Sequence, residues 1–408
     1  MELISFIIPS RTNLKYLKQA YRSIRKNSPH PHEICIADDA STDGTKEWVQ
    51  SIIDSGEDAC LKLHINEGPE RLGHTILYDT LINDYATHDV VMIFHADMYL
   101  CPKSDEAIDK HLEPGKVVSL TRIEPPLHPD GPEKVLEDFG IEPEEFKEEE
   151  LLKKVTTLQL EHGTDYNFVK TTKGIFAPWV MYKKDFQSIG GHDPLYAPQS
   201  KEDSDIFNRF VLAGYELIQT WEGFVYHMTS RGSRFKDGAK RNPDGQVFMK
   251  GRESDEWLKQ NRRSTRNFVR KWGHFVMHDE MMYPIIPPKY DVAFSIYNCT
   301  PELMAALEPW CSVIYSDVDP NDIDSYIKVE QPNTLYDLTE RVRYITEDKD
   351  SDVVIEFDGS QWKDEHSGFI NNLTQILKDS GEVGTMDYEI FTLYIEKLET
   401  YEKELIKL

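Results

Sequence analysis

The chain reads as an α/β protein with a mostly parallel central sheet, helices on both faces, and a smaller α/β region following it. Three observations predict this class. Short apolar runs alternate with segments of helical spacing through the first hundred residues. Nearly every apolar run stops at a proline, histidine, aspartate or asparagine. Beyond "PIIPPKY" the alternation of strand-like and helix-like stretches resumes.

The elements follow in order. Residues 3–8 are nearly all apolar and close at Pro9, as expected of a strand buried on both faces. Leu14, Leu17, Ala20, Tyr21 and Ile24 then recur at helical spacing. Residues 34–37 form a second strand, and "STDGTKEWVQSIID" a loop opening a helix. Residues 61–65 form a third strand, 72–85 a helix, and 90–94 a fourth strand. Residues 124–154 are acidic and proline-punctuated, which predicts an exposed loop and helix carrying solvated charge. A strand in "GIFAPWVMY", a turn at "SIGGHDP", a helix over 203–213 and a strand over 223–227 complete the region. Two basic stretches, "TSRGSRFKDGAKRNPDG" and "KQNRRSTRNFVRK", come next. Farther on, "DVAFSIYN", "CSVIYSD" and "DVVIEFDG" read as strands, with helices over 302–307, 335–344 and 369–378. No tandem repeat links the halves. The expected division is a domain over 1–275 and a smaller one over 283–408.

Composition excludes several classes of partner. Acidic residues number 72 against 46 basic ones, for a net charge of -26, so the surface as a whole repels nucleic acid and anionic lipid. No apolar run approaches the ~20 residues of a membrane span, and "MELISFIIPSR" lacks a basic leader and a long apolar core. The five cysteines (Cys35, Cys60, Cys101, Cys299, Cys311) are scattered and odd in number, without a CxxC pair. That predicts a reduced, soluble, cytoplasmic protein that reaches a membrane only peripherally.

In an open parallel sheet, ligands are bound beyond the carboxyl ends of the strands. Pro9, Ser10 and Arg11, the pair Asp38–Asp39, residues 66–71 and the triplet His95-Ala96-Asp97 all occupy such ends. Adjacent carboxylates at a strand end suit a ribose hydroxyl or a base N–H, while Ser41, Thr42 and Asp43 also fit helix capping. Asp97, at the tip of an apolar strand, is costly unless paired, hydrogen-bonded or bound to a cation. A divalent cation between carboxylate and diphosphate meets that need, with His95 lining the pocket. His227 ends another strand and precedes Arg231 and Arg234 in a glycine-bearing basic loop, a composition suited to closing over a diphosphate. Glu202 and Asp203 stand before an apolar helical stripe, where the helix dipole stabilises carboxylates and a general base has a natural seat.

Taken in order, "FIIPSR", "ADDASTDGT", "NEGPERLG", "HADM", "GIFAPWVMYKKDFQSIGGHD" and "KEDSDIFNRFVLAGYE" resemble the family 2 glycosyltransferases, inverting enzymes of the GT-A fold. The resemblance covers roughly the first 235 residues. It implies a donor nucleotide held by Pro9, Ser10, Arg11, Asp38 and Asp39, with Arg71 near the base or phosphate. It implies that His95-Ala96-Asp97 stands for the D-x-D element, with Asp97 on the metal and His95 in place of the first carboxylate. Trp179, Gly190 and Gly191 match the acceptor-side segment. Glu202–Asp203 matches the pair that supplies the base, here Asp203, and His227 stands where some GT-A enzymes place another metal ligand. The implied cofactor is Mn²⁺ or Mg²⁺. The implied partners are a nucleotide sugar, with UDP the default, and a glycan or glycoconjugate acceptor. The C-terminal domain is expected to be an accessory unit for acceptor binding or self-association into a homo-oligomer. Two rival readings are a catalytically inactive sugar-nucleotide-binding scaffold and a sugar-nucleotidyltransferase. The second usually opens with a glycine-rich signature that "IIPSRTNLKYL" lacks.

Overall fold

The computed structural model describes residues 3–164, 170–229, 239–249 and 254–408. They form two compact units. One comprises residues 1–259 with 278–284 and residue 408, the other 260–277 with 285–407.

The first unit follows the order β1 (Ile4–Ser10), α1 (Leu14–Asn27), β2 (His32–Asp39), α2 (Thr45–Ser55), β3 (Leu61–Asn66), α3 (His74–Thr80), β4 (Val90–Ile93), β5 (Met98–Leu100) and α4 (Ser104–His111). It continues with β6 (Lys116–Glu124), β7 (Lys134–Leu136), α5 (Glu148–Thr164), β8 (Thr171–Thr172), β9 (Trp179–Tyr182), α6 (Lys183–Ser188), α7 (Glu202–Leu212) and β10 (Glu216–His227). A hairpin of β11 (Ala239–Arg241) and β12 (Val247–Met249) precedes α8 (Asp255–Trp272), within which the division into units falls.

The main sheet runs β3-β2-β1-β4-β9-β6-β10-β5, with β7 on β6 and β8 on β10. Its first two crossovers lead away from β1 on one side and the third returns to the other, so β1 and β4 flank the switch point where open sheets bind ligands. Ile7, Ile8, Ile34, Cys35, Ile36 and Val90 to Ile93 are all buried. That burial on both faces explains their unbroken apolar runs. β9 pairs antiparallel with β4 and with β6, so β6 runs the same way as β4, and β10 is parallel to β6. The carboxyl ends of β1, β2, β3, β4, β6 and β10 therefore share one rim.

Several expectations are corrected. β2 extends to Asp39, because both aspartates are buried within the strand. The helix expected over 72–85 is α3 followed by a wider π-turn at Leu81–Tyr85. Residues 124–154 are not solvated throughout. Glu124 is the buried end of β6, and Phe139 and Leu151 pack into a core with Tyr99 and Tyr226. Trp179 does not face an acceptor. Its strand lies between β4 and β6, and its fully buried ring packs against Phe186, Phe207 and Phe210.

In the second unit the order is β13 (Val292–Tyr297), α9 (Pro301–Leu307), β14 (Val313–Ser316), α10 (Pro320–Glu330), α11 (Leu338–Arg341), β15 (Val342–Tyr344) and β16 (Val353–Asp358). α12 (Ser367–Asn371), α13 (Leu373–Ser380), β17 (Gly384–Tyr388) and β18 (Phe391–Ile395) follow. Its sheet runs β15-β14-β13-β16-β18-β17. The first four strands repeat the parallel order of β3-β2-β1-β4, and an antiparallel strand again lies beyond the fourth. The topology thus recurs where the sequence shows no repeat. Residues 335–344 are not one helix but α11 running into β15, since Val342 is drawn into the sheet core. The expected boundary near 275 gives way to one at 259/260. Arg266 and Arg270 pair with Glu308 and Glu330, which commits this part of the basic run to the second unit.

One buried ion pair fixes the helix that carries Glu202 and Asp203. Arg209 of α7 pairs with Asp205 at 2.8 Å and donates to the carbonyls of Ile189 (3.0 Å) and Gly191 (2.6 Å). It thereby clamps the glycine turn to α7. Arg209→Ala leaves Asp205 charged in the core, so denaturant melts of the full chain are expected to show a loss of about 3–5 kcal/mol.

Candidate active site at the rim of the sheet

The ends of β1 and β2 form the first part of the site. Ser10 and Asp38 are register partners on adjacent parallel strands. Ser10 Oγ and Asp38 Oδ1 are both buried without a hydrogen-bond partner. Burial, with help from Asp43 and Asp39, raises the Asp38 pKa above the usual carboxylate value. Asp39 is engaged differently. Its Oδ1 accepts from Asn66 Nδ2 (2.8 Å) and the Leu72 amide (2.9 Å), and its Oδ2 from the Gly73 amide (2.9 Å). Asp39 thus folds the loop after β3 back over the rim, and Asp38 keeps the open acceptor. Gly73 is required there: its φ is +79°, and a Cβ would lie 2.0 Å from the carbonyl oxygen of Pro198. Arg71 on this loop donates to Gln199 at 2.7 Å and stands 3.9 Å from Asp39. Burial first, and the charge of Arg11 second, pull its pKa down.

The second part lies beyond β4 and β10. One ligand atom each from His95, Asp97 and His227 fall within 4.8 Å of one another. His227 Nε2 is 3.4 Å from Asp97 Oδ1, its Nδ1 is 3.0 Å from Glu124 Oε1, and its ring lies 5.6 Å from that of His95. Burial opposes protonation of His227, but Asp97 and Glu124 outweigh it and raise its pKa to about 9. Burial and the neighbouring His227 push His95 down to about 3, which leaves that ring neutral. Two imidazoles and one carboxylate are a donor set that fits a divalent transition-metal ion. The partly buried Asp97 carboxylate supplies the negative charge such an ion neutralises.

The third part is the start of α7. Ser200 and Lys201 both adopt positive φ just before it, at 81° and 73°. Glu202 Oε1 pairs with His74 Nε2 at 2.6 Å, and its other oxygen is buried and unpartnered. Burial disfavours the Glu202 anion, yet His74 prevails and lowers its pKa. Asp203 has no hydrogen-bond or ion-pair partner among the described residues. Burial first, and the Glu202 charge second, raise it to about 6. Burial first, and the charges of Asp203, Glu202 and Asp97 after it, raise the pKa of the Tyr78 hydroxyl well above its usual value. A carboxyl with a pKa near 6 can take a proton from a hydroxyl at neutral pH.

Of the residues singled out from sequence, Ser10, Asp38, Asp39, Arg71, His95, Asp97, His227, Glu202 and Asp203 all lie on this face of the unit. Ala96 is buried between His95 and Asp97. Gly190 and Gly191, with φ of 88° and 74°, form a turn. A Cβ on Gly191 would lie 2.1 Å from Asp79 Oδ2, the group that also accepts from the His192 backbone and ring. Arg231 and Arg234 lie outside the described residues. Sequence reasoning missed His74, Glu124 and His192. His74 opens a helix directly after the loop already assigned to the rim, which was the available signal.

Residues 5–170 match the family model described as glycosyl transferase family 2. No curated protein matches the chain. Similar solved structures include GalNAc-T7 with UDP, GalNAc and Mn²⁺, at TM-score 0.44 and 14% identity over 67% of this chain and 48% of that one. The mannosyltransferase PcManGT from Pyrobaculum calidifontis with GDP-Man and Mn²⁺ gives 0.39 and 17%, over 56% and 58%. S. aureus TarS 1–349 with UDP gives 0.38 and 15%, over 55% and 60%. The chain thus spans about half to three fifths of the length of these proteins.

The division of labour between the two aspartates is testable by amide exchange. Asp39→Ala removes the acceptor for three donors, so the Leu72 and Gly73 amides are expected to exchange faster, with a stability loss of about 2–3 kcal/mol. Asp38→Asn is expected to leave their exchange unchanged.

Proposed function

We infer that this chain, whose residues 5–170 match the glycosyl transferase family 2 model, is a GT-A glycosyltransferase that transfers a sugar from a nucleotide-diphosphate donor to an acceptor hydroxyl with inversion. A UDP-sugar is the first choice of donor, and the acceptor is a glycan, glycoprotein or glycolipid. The observation that carries this reading is the cluster of His95, Asp97 and His227 at the strand ends, together with an Asp203 that has no partner among the described residues and is raised to about 6.

Each group then has a role in the reading. Ser10, Asp38 and the rim loop held by Asp39 receive the nucleoside, and Arg11 and Arg71 its phosphates. Asp203 takes the proton from the acceptor hydroxyl. That oxygen forms a bond to the anomeric carbon as the bond from this carbon to the diphosphate oxygen breaks, and the electron pair leaves on the nucleoside diphosphate. A single displacement of this kind turns an α-configured donor into a β-linkage. Asp97, His227 and His95 would hold a divalent cation, Mn²⁺ or Mg²⁺. When bound, that ion supplies charge neutralisation for the departing diphosphate. Glu202, kept ionised by His74, makes protonation of Asp203 easier than it would be alone.

The pH profile tests the base. Asp203 works only when deprotonated. Below about pH 6, kcat/KM is therefore expected to fall about tenfold per pH unit, and above it to level off. Glu202→Gln removes the charge that raises Asp203 and is expected to move this limb to lower pH. Asp203→Asn is expected to keep donor binding while transfer drops by about 10²–10⁴-fold. Normal turnover by Asp203→Asn contradicts the assignment.

A further inference from the structure

We propose that Glu124 is a positioning residue for the cation site, fixing the proton of His227 on Nδ1 so that Nε2 presents its lone pair beside Asp97. The proposal rests on reading His95, Asp97 and His227 as that site.

The backbone places the two groups together. β6 and β10 are parallel, and Ile123 is the register partner of Tyr226, so Glu124 and His227 end adjacent strands at the same rim. Glu124 Oε1 lies 3.0 Å from His227 Nδ1, and His227 Nε2 lies 3.4 Å from Asp97 Oδ1. An ionised carboxylate only accepts hydrogen bonds, so Nδ1 is the donor in this contact. When a cation takes the place of the Nε2 proton, Nδ1 keeps its own toward Glu124 and the lone pair lies on the nitrogen facing Asp97. A carboxylate behind a ligating imidazole sets both its tautomer and its ring orientation.

Glu124 is itself held rigidly. It is 1% exposed, accepts from Arg122 Nη1 at 2.9 Å and lies 3.7 Å from Lys134 Nζ. Arg122 stacks on the Phe176 ring at 3.6 Å, and Glu133 stands 3.7 Å from Arg122 and 3.5 Å from Lys134. Two acids and two bases thus balance in a buried cluster, and Oε1, the oxygen that accepts from Arg122, is also the one that accepts from the imidazole. A carboxylate serving only to neutralise Arg122 has no need of that contact.

The test is a Mn²⁺ titration of the full chain by calorimetry, without donor or acceptor, with a thermal melt of each variant. The wild type is expected to bind and Asp97→Ala to lose binding. Glu124→Gln is expected to weaken Mn²⁺ binding about 10–100-fold. Glu133→Gln disturbs the same buried charges without touching Glu124 or His227, and is expected to keep the wild-type affinity within about twofold. If Glu124→Gln fails to fold, Glu124→Asp, which keeps the charge but withdraws the carboxylate, carries the same comparison. Wild-type affinity in the Glu124 variant overturns the positioning role alone, as does an equal loss in Glu133→Gln. Absence of Mn²⁺ binding in the wild type overturns the cation site and this proposal with it.

Discussion

Buried charge at the ends of strands that all point one way is the constraint on which the first unit depends. β1, β2, β3, β4, β6 and β10 deliver their last residues to one rim. Several of those residues, or the ones just after them, are ionisable. A carboxylate taken from water must be compensated where it stands. Asp39 is compensated by the amides of the loop it folds, Asp97 by His227, and Glu124 by Arg122. Asp38 and Ser10 keep unpartnered atoms, and Asp203 keeps no partner among the described residues. Glu124 Oε2 and Glu202 Oε2 are likewise buried without a hydrogen-bond partner, so each of these ends also keeps an open acceptor.

Much of this was legible in the sequence for a simple reason. Strands buried on both faces must be apolar throughout, so the polar residues that end them stand out, as Asp38–Asp39 and His95-Ala96-Asp97 do. The pair Glu202–Asp203 was legible because an apolar stripe at helical spacing follows it. The misread positions are those whose surroundings come from far along the chain. Glu124 opens a locally acidic stretch and looks solvated, yet its partner His227 is 103 residues away. Trp179 resembles a binding-site aromatic, but strand pairing on both sides seals it in the core. His74 stands directly after the rim loop, which marks its place, but it matters through Glu202, 128 residues on.

The second unit shows that shared topology does not imply a shared site. Its four parallel strands repeat the order of the first unit, yet the corresponding rim is closed by its own hydrogen bonds. Both oxygens of Asp317 accept the amides of Asn298 and Cys299, and Asp358 accepts from Asn298 and Ser360. Asp358 is a turn former in this setting. The open acceptors that mark the rim of the first unit, Ser10 Oγ and Asp38 Oδ1, have no counterpart among the described residues here. Among those residues, no helix is long and apolar enough to cross a membrane.

The central claim is that the open groups of the first rim act on a nucleotide sugar. The most direct measurement incubates the full chain with UDP-, GDP- and dTDP-sugars, in Mn²⁺ or in EDTA, and follows free nucleoside diphosphate by mass spectrometry alongside binding of each donor. The account predicts that one donor binds and slowly releases its nucleoside diphosphate in Mn²⁺ but not in EDTA. No binding of any nucleotide sugar, with or without metal, contradicts it.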